Sequence, residues 1–138
     1  QVSAHLVIGR DGQISQLLPF NVIGWHAGVS RWGIREGFNK YSIGIEIDNA
    51  GMLEEKDGNF VSWFGKNYPP EEVVKGVHRN HTELSYWHVF PQFQIDVVET
   101  VCKMLTASAV DITPTSMHCS GGFMQSKNFS LALLPTTV

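Results

Sequence analysis

The chain has 138 residues, enough for one domain around one core, and its apolar and charged fractions (43% and 17%) are those of an ordinary globular protein. A formal net charge of -3, with no run rich in Lys or Arg, supplies no basic field for a nucleic acid partner. No apolar run is long enough to span a bilayer, Gln1-Val2-Ser3-Ala4-His5 is not the charged head of a signal peptide, and two cysteines, Cys102 and Cys119, are too few for a disulfide framework.

In chain order, Ala4-His5-Leu6-Val7-Ile8-Gly9 reads as a strand, Asp11-Gly12 as a hairpin turn, and Gln13 to Leu18 as a second strand ended by Pro19. His5, inside the first strand, reads as a satisfied buried histidine rather than a ligand. Gly24-Trp25-His26-Ala27-Gly28 sets an aromatic ring and an imidazole between glycines, a composition suited to close backbone approach in a site loop. On sequence grounds His26 suits a site role and a structural one equally. Ser30 to Lys40 is a polar loop in which no regular element is required, and it leads to Asn39 and the next strand.

That strand, Ser42-Ile43-Gly44-Ile45-Glu46-Ile47-Asp48, alternates apolar and other residues. Ile43, Ile45 and Ile47 share one face at period two, so Glu46 points to the other with Gly44 and Asp48. A wet edge-strand face would accommodate the acid without any function, and composition alone favours that reading.

Met52 to about His88 reads as a long irregular insertion, with a turn at Lys56-Asp57-Gly58-Asn59, a break at Pro69-Pro70 and a short helix start at Glu71-Glu72. Trp63, Phe64, Tyr68, Tyr86, Trp87 and Phe90 give it aromatic surface to cover a groove or to pack on the domain. His78, His81 and His88 lack a helix to hold them on one face as metal ligands and read as surface or structural. From Pro91 to about Thr106, Ile95, Val98, Cys102 and Leu105, joined by Val97, Val101 and Met104, mark the clearest helix. Ser116-Met117-His118-Cys119 is a strand candidate, and a helix capped by Ser126 is expected through Leu134. His118, at a strand end before Gly121-Gly122, is placed to bind a metal.

Three separate motifs, Val2-Ser3-Ala4-His5-Leu6-Val7-Ile8 with Arg10-Asp11-Gly12, Gly24-Trp25-His26-Ala27-Gly28, and Asn39 with Ser42-Ile43-Gly44-Ile45-Glu46-Ile47, together resemble the zinc-dependent N-acetylmuramoyl-L-alanine amidases. That family includes the phage lysozyme-type amidases and is related to the peptidoglycan recognition proteins. The resemblance implies an α/β fold, a mixed central β-sheet flanked by helices in a single domain over residues 1–138. It implies a groove for peptidoglycan or a muropeptide and a Zn2+ that polarises the lactyl-alanyl amide carbonyl and acidifies a bound water. Glu46 matches the acid beside that water, a general base and then proton donor. Trp25 and His26 match positions on the groove wall, and Asn39 one that shapes the loop beside Glu46.

The metal ligands depart from the pattern. The family takes one His from a strand ahead of the Ser-Ala-His strand, a second from a Gly-His-x-Asp-Ile-x-Pro segment, and an acid or thiolate from a Lys-x-Asp-Pro-Gly segment. Asp111-Ile112-Thr113-Pro114 resembles the middle piece, with Ala109 where its His would stand, and the last segment is absent. His118 is then either the C-terminal zinc ligand in a divergent tail or the first-strand ligand of a chain that is circularly permuted or numbered out of order. The second agrees better in motif, helix and spacing, and requires a strand bearing His118 beside the Ser-Ala-His strand. An inactive peptidoglycan-binding module on the same fold is the alternative to an enzyme; an acid at Glu46, which the recognition proteins typically lack, favours the enzyme.

Overall fold

The computed structural model describes residues 3–32, 34–78, 82–108, 112–113 and 128–135. They fall into two compact units, one formed chiefly by residues up to Asp48 and from Pro91 on, the other chiefly by Asn49–Phe90.

In the first unit β1 (Leu6–Ile8) pairs antiparallel with β2 (Ile14–Gln16), opposing Ile8 to Ile14. The turn between them is closed by the Gly9 and Gln13 backbones at 2.9 Å, with Gly12 at φ 78° and the Asp11 carboxylate accepting the Gln13 N–H. An Asp-Gly pair provides both the side-chain acceptor and the left-handed residue that this turn needs. The loop after Gly28 is more regular than expected. It forms a two-residue hairpin of β3 (Arg31–Trp32) and β4 (Arg35–Glu36), then a 3-10 turn at Phe38–Lys40 that buries Phe38. β5 (Ile43–Asp48) runs parallel to β1, with Val7 opposite Glu46.

The second unit corrects the expectation of an irregular insertion. It is a five-stranded sheet made of β6 (Met52–Lys56), β7 (Asn59–Ser62), β8 (Asn67–Tyr68), β9 (Val73–Val77) and β10 (Leu84–His88), ordered β8-β7-β6-β10-β9 and antiparallel throughout. Asp57 and Gly58, both at positive φ, close the β6–β7 hairpin in the manner that suits strand twist. Only Leu53 of β6 is buried, so Glu54, Glu55 and Lys56 sit on solvated positions and mask the strand period. A single 3-10 turn, Pro70–Glu72, stands where a helix start is expected. Ala50, Leu53 and Tyr68 form this unit's core, with Phe60, Val73 and Tyr86 packed against it.

The helix α1 (Gln92–Ser108) packs in the first unit, where Val98 and Val101 meet Leu6, Ile8 and Ile45. Ile8 and Ile45 are fully buried, each contributing about 2 kcal/mol of apolar transfer free energy. Ile95 and Met104 fall outside the buried stripe, whereas Gln94 is wholly buried and its amide donates to the Ile8 and Asp48 carbonyls at 3.3 and 3.0 Å. A buried polar side chain thereby ties the helix start to the ends of β1 and β5.

β11 (Ile112–Thr113) and β12 (Asn128–Pro135) pair antiparallel and extend the first sheet in the order β11-β12-β5-β1-β2. The mixed α/β architecture is therefore present, but where a helix is expected from Ser126 to Leu134 the described residues, from Asn128 on, form a strand, since a short apolar run fits either state. Among the described residues β1 has β2 on one edge and β5 on the other. His118 itself, like His81, lies outside the described residues.

Candidate active site

The two faces of β5 have separate uses. Ile45 is in the core with Ile43 and Ile47 packed beside it, which turns Gly44 and Glu46 to the opposite face. Glu46 is half-buried beside Val7 of the neighbouring strand, and burial pushes its carboxyl above the usual carboxylate range.

Gly44 is the seat of His26. A Cβ at Gly44 would stand 2.3 Å from the His26 Cγ, so any side chain there would evict the ring. The loop bearing His26 is clamped by Asn39, whose Oδ1 accepts the backbone N–H groups of His26 and Ala27 at 2.9 and 2.7 Å. The Ser42 hydroxyl donates to the Phe38 carbonyl at 2.7 Å, which leaves its oxygen to accept from His26 Nε2 at 3.3 Å. The proton thus sits on Nε2, while Nδ1 is buried with no hydrogen-bond partner. Burial lowers the His26 pKa, opposed by a backbone contact with Ser42 and reinforced by the His5 ring. A neutral, fixed imidazole beneath the surface is the result.

Trp25, the neighbour of that ring, is 60% exposed, and its backbone is tied to Ser3 in both directions, Ser3 N–H to the Trp25 carbonyl at 3.1 Å and Trp25 N–H to Ser3 Oγ at 3.0 Å. A rigid backbone therefore carries an open indole ring suited to stacking on a ligand. Trp25, His26, Asn39 and Glu46, singled out in the sequence, all lie in the first unit, and hydrogen bonds join Asn39 to the loop of Trp25 and His26. Ser42 and Gly44 were not singled out as site residues. The isolated glycine within a strand is the signal that could have found the second, since such a glycine marks close approach of another group.

Among the described residues no group of three or more His, Cys, Asp or Glu side chains can hold a metal ion. The histidine chemistry agrees. His5 accepts the Gly44 N–H at Nδ1 and meets the Val22 carbonyl through Nε2, and His88 accepts the Ala50 N–H at Nδ1 and faces Glu72 through Nε2, so neither ring has a lone pair to give. His78 stacks on Trp87. The described residues therefore do not fit a zinc centre.

The sequence comparison gives the class: the chain belongs to the N-acetylmuramoyl-L-alanine amidase family, whose sequence model matches residues 1–128. It is 47% identical over 60 residues to the 1,6-anhydro-N-acetylmuramyl-L-alanine amidase AmpD of Escherichia coli (strain K12), covering 44% of this chain and 33% of that protein. It is 42% identical over 91 residues to the AmpD of Haemophilus influenzae, covering 62% and 48%. To the N-acetylmuramoyl-L-alanine amidase AmiD of Escherichia coli (strain K12) it is 38% identical over 99 residues, covering 67% and 34%. The chain thus spans between a third and a half of the length of these curated relatives. No solved structure matches it. The family is generally zinc-dependent. No helix among the described residues is long and apolar enough to cross a membrane.

Proposed function

We propose that the chain acts as one amidase-like domain that hydrolyses the amide between N-acetylmuramic acid and L-alanine in peptidoglycan or a soluble muropeptide. The observation that carries this reading is Glu46, a half-buried carboxyl with a raised pKa on the strand face that also seats His26. A carboxyl tuned upward serves both halves of an amide hydrolysis. As carboxylate it accepts a proton from the water that adds to the lactyl carbonyl carbon. As acid it returns that proton to the alanyl nitrogen when the C–N bond breaks, so the peptide leaves as a free amine. Trp25 offers its exposed indole to the substrate, and Asn39 holds the loop from which Trp25 and His26 project.

The names of the AmpD relatives, amidases of 1,6-anhydro-N-acetylmuramyl-L-alanine, support a soluble muropeptide as substrate. Zn2+ is part of the proposal through the family, with His118 as a ligand. Its site would draw on residues beyond those described. The test is metal content with muropeptide cleavage: stoichiometric zinc and release of a peptide with a free L-alanyl amine are expected, with His118→Ala losing the metal and Glu46→Ala keeping it. Muropeptide binding without zinc or cleavage would replace the enzyme by an inactive binding module.

A further inference from the structure

His5 is 1% exposed and lies at the point where three segments of the first unit meet. Its backbone N–H donates to the Gly44 carbonyl at 2.9 Å, and its ring Nδ1 accepts the Gly44 N–H at 3.0 Å, so the residue grips both sides of one peptide position in β5. Its Nε2 lies 2.8 Å from the Val22 carbonyl, and its own carbonyl accepts the Leu17 N–H at 2.8 Å. With Nδ1 engaged as acceptor, Nε2 must carry the proton and donate to Val22. One neutral imidazole in one tautomer satisfies both bonds.

The ring also sets spacing on two sides. A Cβ at Gly24 would lie 2.9 Å from His5 Cε1 and 3.1 Å from the Ser3 carbonyl, so the loop descends onto His5 at a glycine. The His5 ring meets His26 edge-on at 5.9 Å between centroids. His26 in turn stands on Gly44, two residues before Glu46 on the same strand face. The loop from Leu17 to Trp25 exposes Leu17, Phe20, Val22, Ile23 and Trp25, and so buries little apolar surface to hold itself in place. Ser3 ties this loop at Trp25 and Asn39 at His26 and Ala27, and His5 is the tie that joins its Val22 carbonyl to β5.

We infer that His5 is a positioning residue for amide hydrolysis, a two-ended tie that holds the Trp25–His26 loop in register with the strand bearing Glu46. The inference rests on the proposed function, deepens it, and assigns His5 no contact with substrate.

The two ends can be cut separately. Asn places its Oδ1 where the imidazole Nδ1 lies and is too short to reach Val22, whereas Gln places its amide nitrogen where Nε2 lies and offers no acceptor to Gly44. His5→Asn frees the loop and is expected to raise KM for a soluble N-acetylmuramoyl-L-alanyl peptide about 3- to 10-fold at nearly constant kcat, the factor that one lost hydrogen bond produces. His5→Gln frees the Gly44 N–H under His26 and is expected to lower kcat by a similar factor at nearly constant KM. Amide hydrogen exchange reads the tie without reference to turnover: faster exchange at Trp25 in His5→Asn, and at Gly44 in His5→Gln. If neither variant folds, Gly24→Ala presses on the same ring from the loop side and is expected to raise KM alone. Equal losses in kcat and KM that follow melting temperature, or unchanged kinetics with altered exchange, would overturn the positioning role. Unaltered exchange in both variants would overturn the tie itself. Wild-type protein that cleaves no muramoyl-L-alanine amide would overturn the proposed function and the positioning role with it, while the exchange data still decide whether the tie exists.

Discussion

Two buried imidazoles, His26 in the first unit and His88 in the second, have opposite hydrogen-bond accounts. His88 is complete: Nδ1 accepts the Ala50 N–H at 3.2 Å, Nε2 meets the Glu72 carboxylate at 3.0 Å, and the ring lies 4.2 Å from Tyr68. Asn49 closes the arrangement by donating to the His88 carbonyl and accepting the Gly51 N–H. Its acid faces the ring and is partly solvated. His26 has a buried Nδ1 without a partner, and Glu46 on its supporting strand is shifted by burial. A satisfied network stabilises a fold, whereas incompletely satisfied buried groups cost stability and persist where function requires them. The same residue types are thus fully satisfied in one unit and incompletely satisfied in the other, where we propose the site lies.

The largest expected effect lies on the site side. Glu46→Ala should lower kcat about 10^2- to 10^4-fold, the range general acid–base catalysis contributes, while the protein stays folded by circular dichroism. Full turnover of this variant in a muropeptide cleavage assay would remove Glu46 as the base. His88→Ala should do the reverse. It leaves the buried Ala50 N–H without an acceptor and a void against Tyr68, which together cost about 3 kcal/mol in denaturant unfolding, with kcat per folded molecule retained. A His88→Ala protein of wild-type stability would erase the contrast between the two rings.

These contrasts were only partly legible in the sequence. Period-two alternation around Ile43, Ile45 and Ile47 assigned Glu46 to the face away from the core, and the Asp11-Gly12 and Asp57-Gly58 pairs located the β1–β2 and β6–β7 turns. In the second unit β6 was hidden because most of it faces solvent, so Glu54, Glu55 and Lys56 carry no alternation to detect. The strand at Asn128–Pro135 could not be told from a helix, because its run of apolar residues is short and lacks a diagnostic period. Asn39 entered through family likeness alone. That its amide oxygen takes two backbone N–H groups depends on a contact across 13 residues, which no local pattern encodes.

Asn39 gives the next effect in size. Asn39→Ala orphans the His26 and Ala27 N–H groups and should raise KM about 10-fold through the loosened Trp25 loop, whereas Asn39→Asp keeps an acceptor oxygen in place and should stay within about 3-fold of wild type. Steady-state kinetics of the pair check this, and equal damage by both substitutions would show that the clamp is not what Asn39 supplies.

The smallest effect is one of stability, and its sign separates a site acid from a structural one. Burial raises the Glu46 pKa in the folded protein above its unfolded value. Below the unfolded value both states hold the proton and the group is neutral to folding. As pH rises through the folded value, the unfolded chain has already released its proton while the folded chain must carry a half-buried charge, so the penalty grows and is complete above the folded pKa. Glu46→Gln removes that charge and should melt slightly higher than wild type at neutral pH, with the gain fading as the pH falls through the folded pKa of Glu46. Melting curves of the two proteins from neutral pH down into the acid range test it. A destabilised Glu46→Gln at neutral pH would mean that the carboxylate is held by favourable partners, as Glu72 is by His88, and would place Glu46 on the structural side of the comparison.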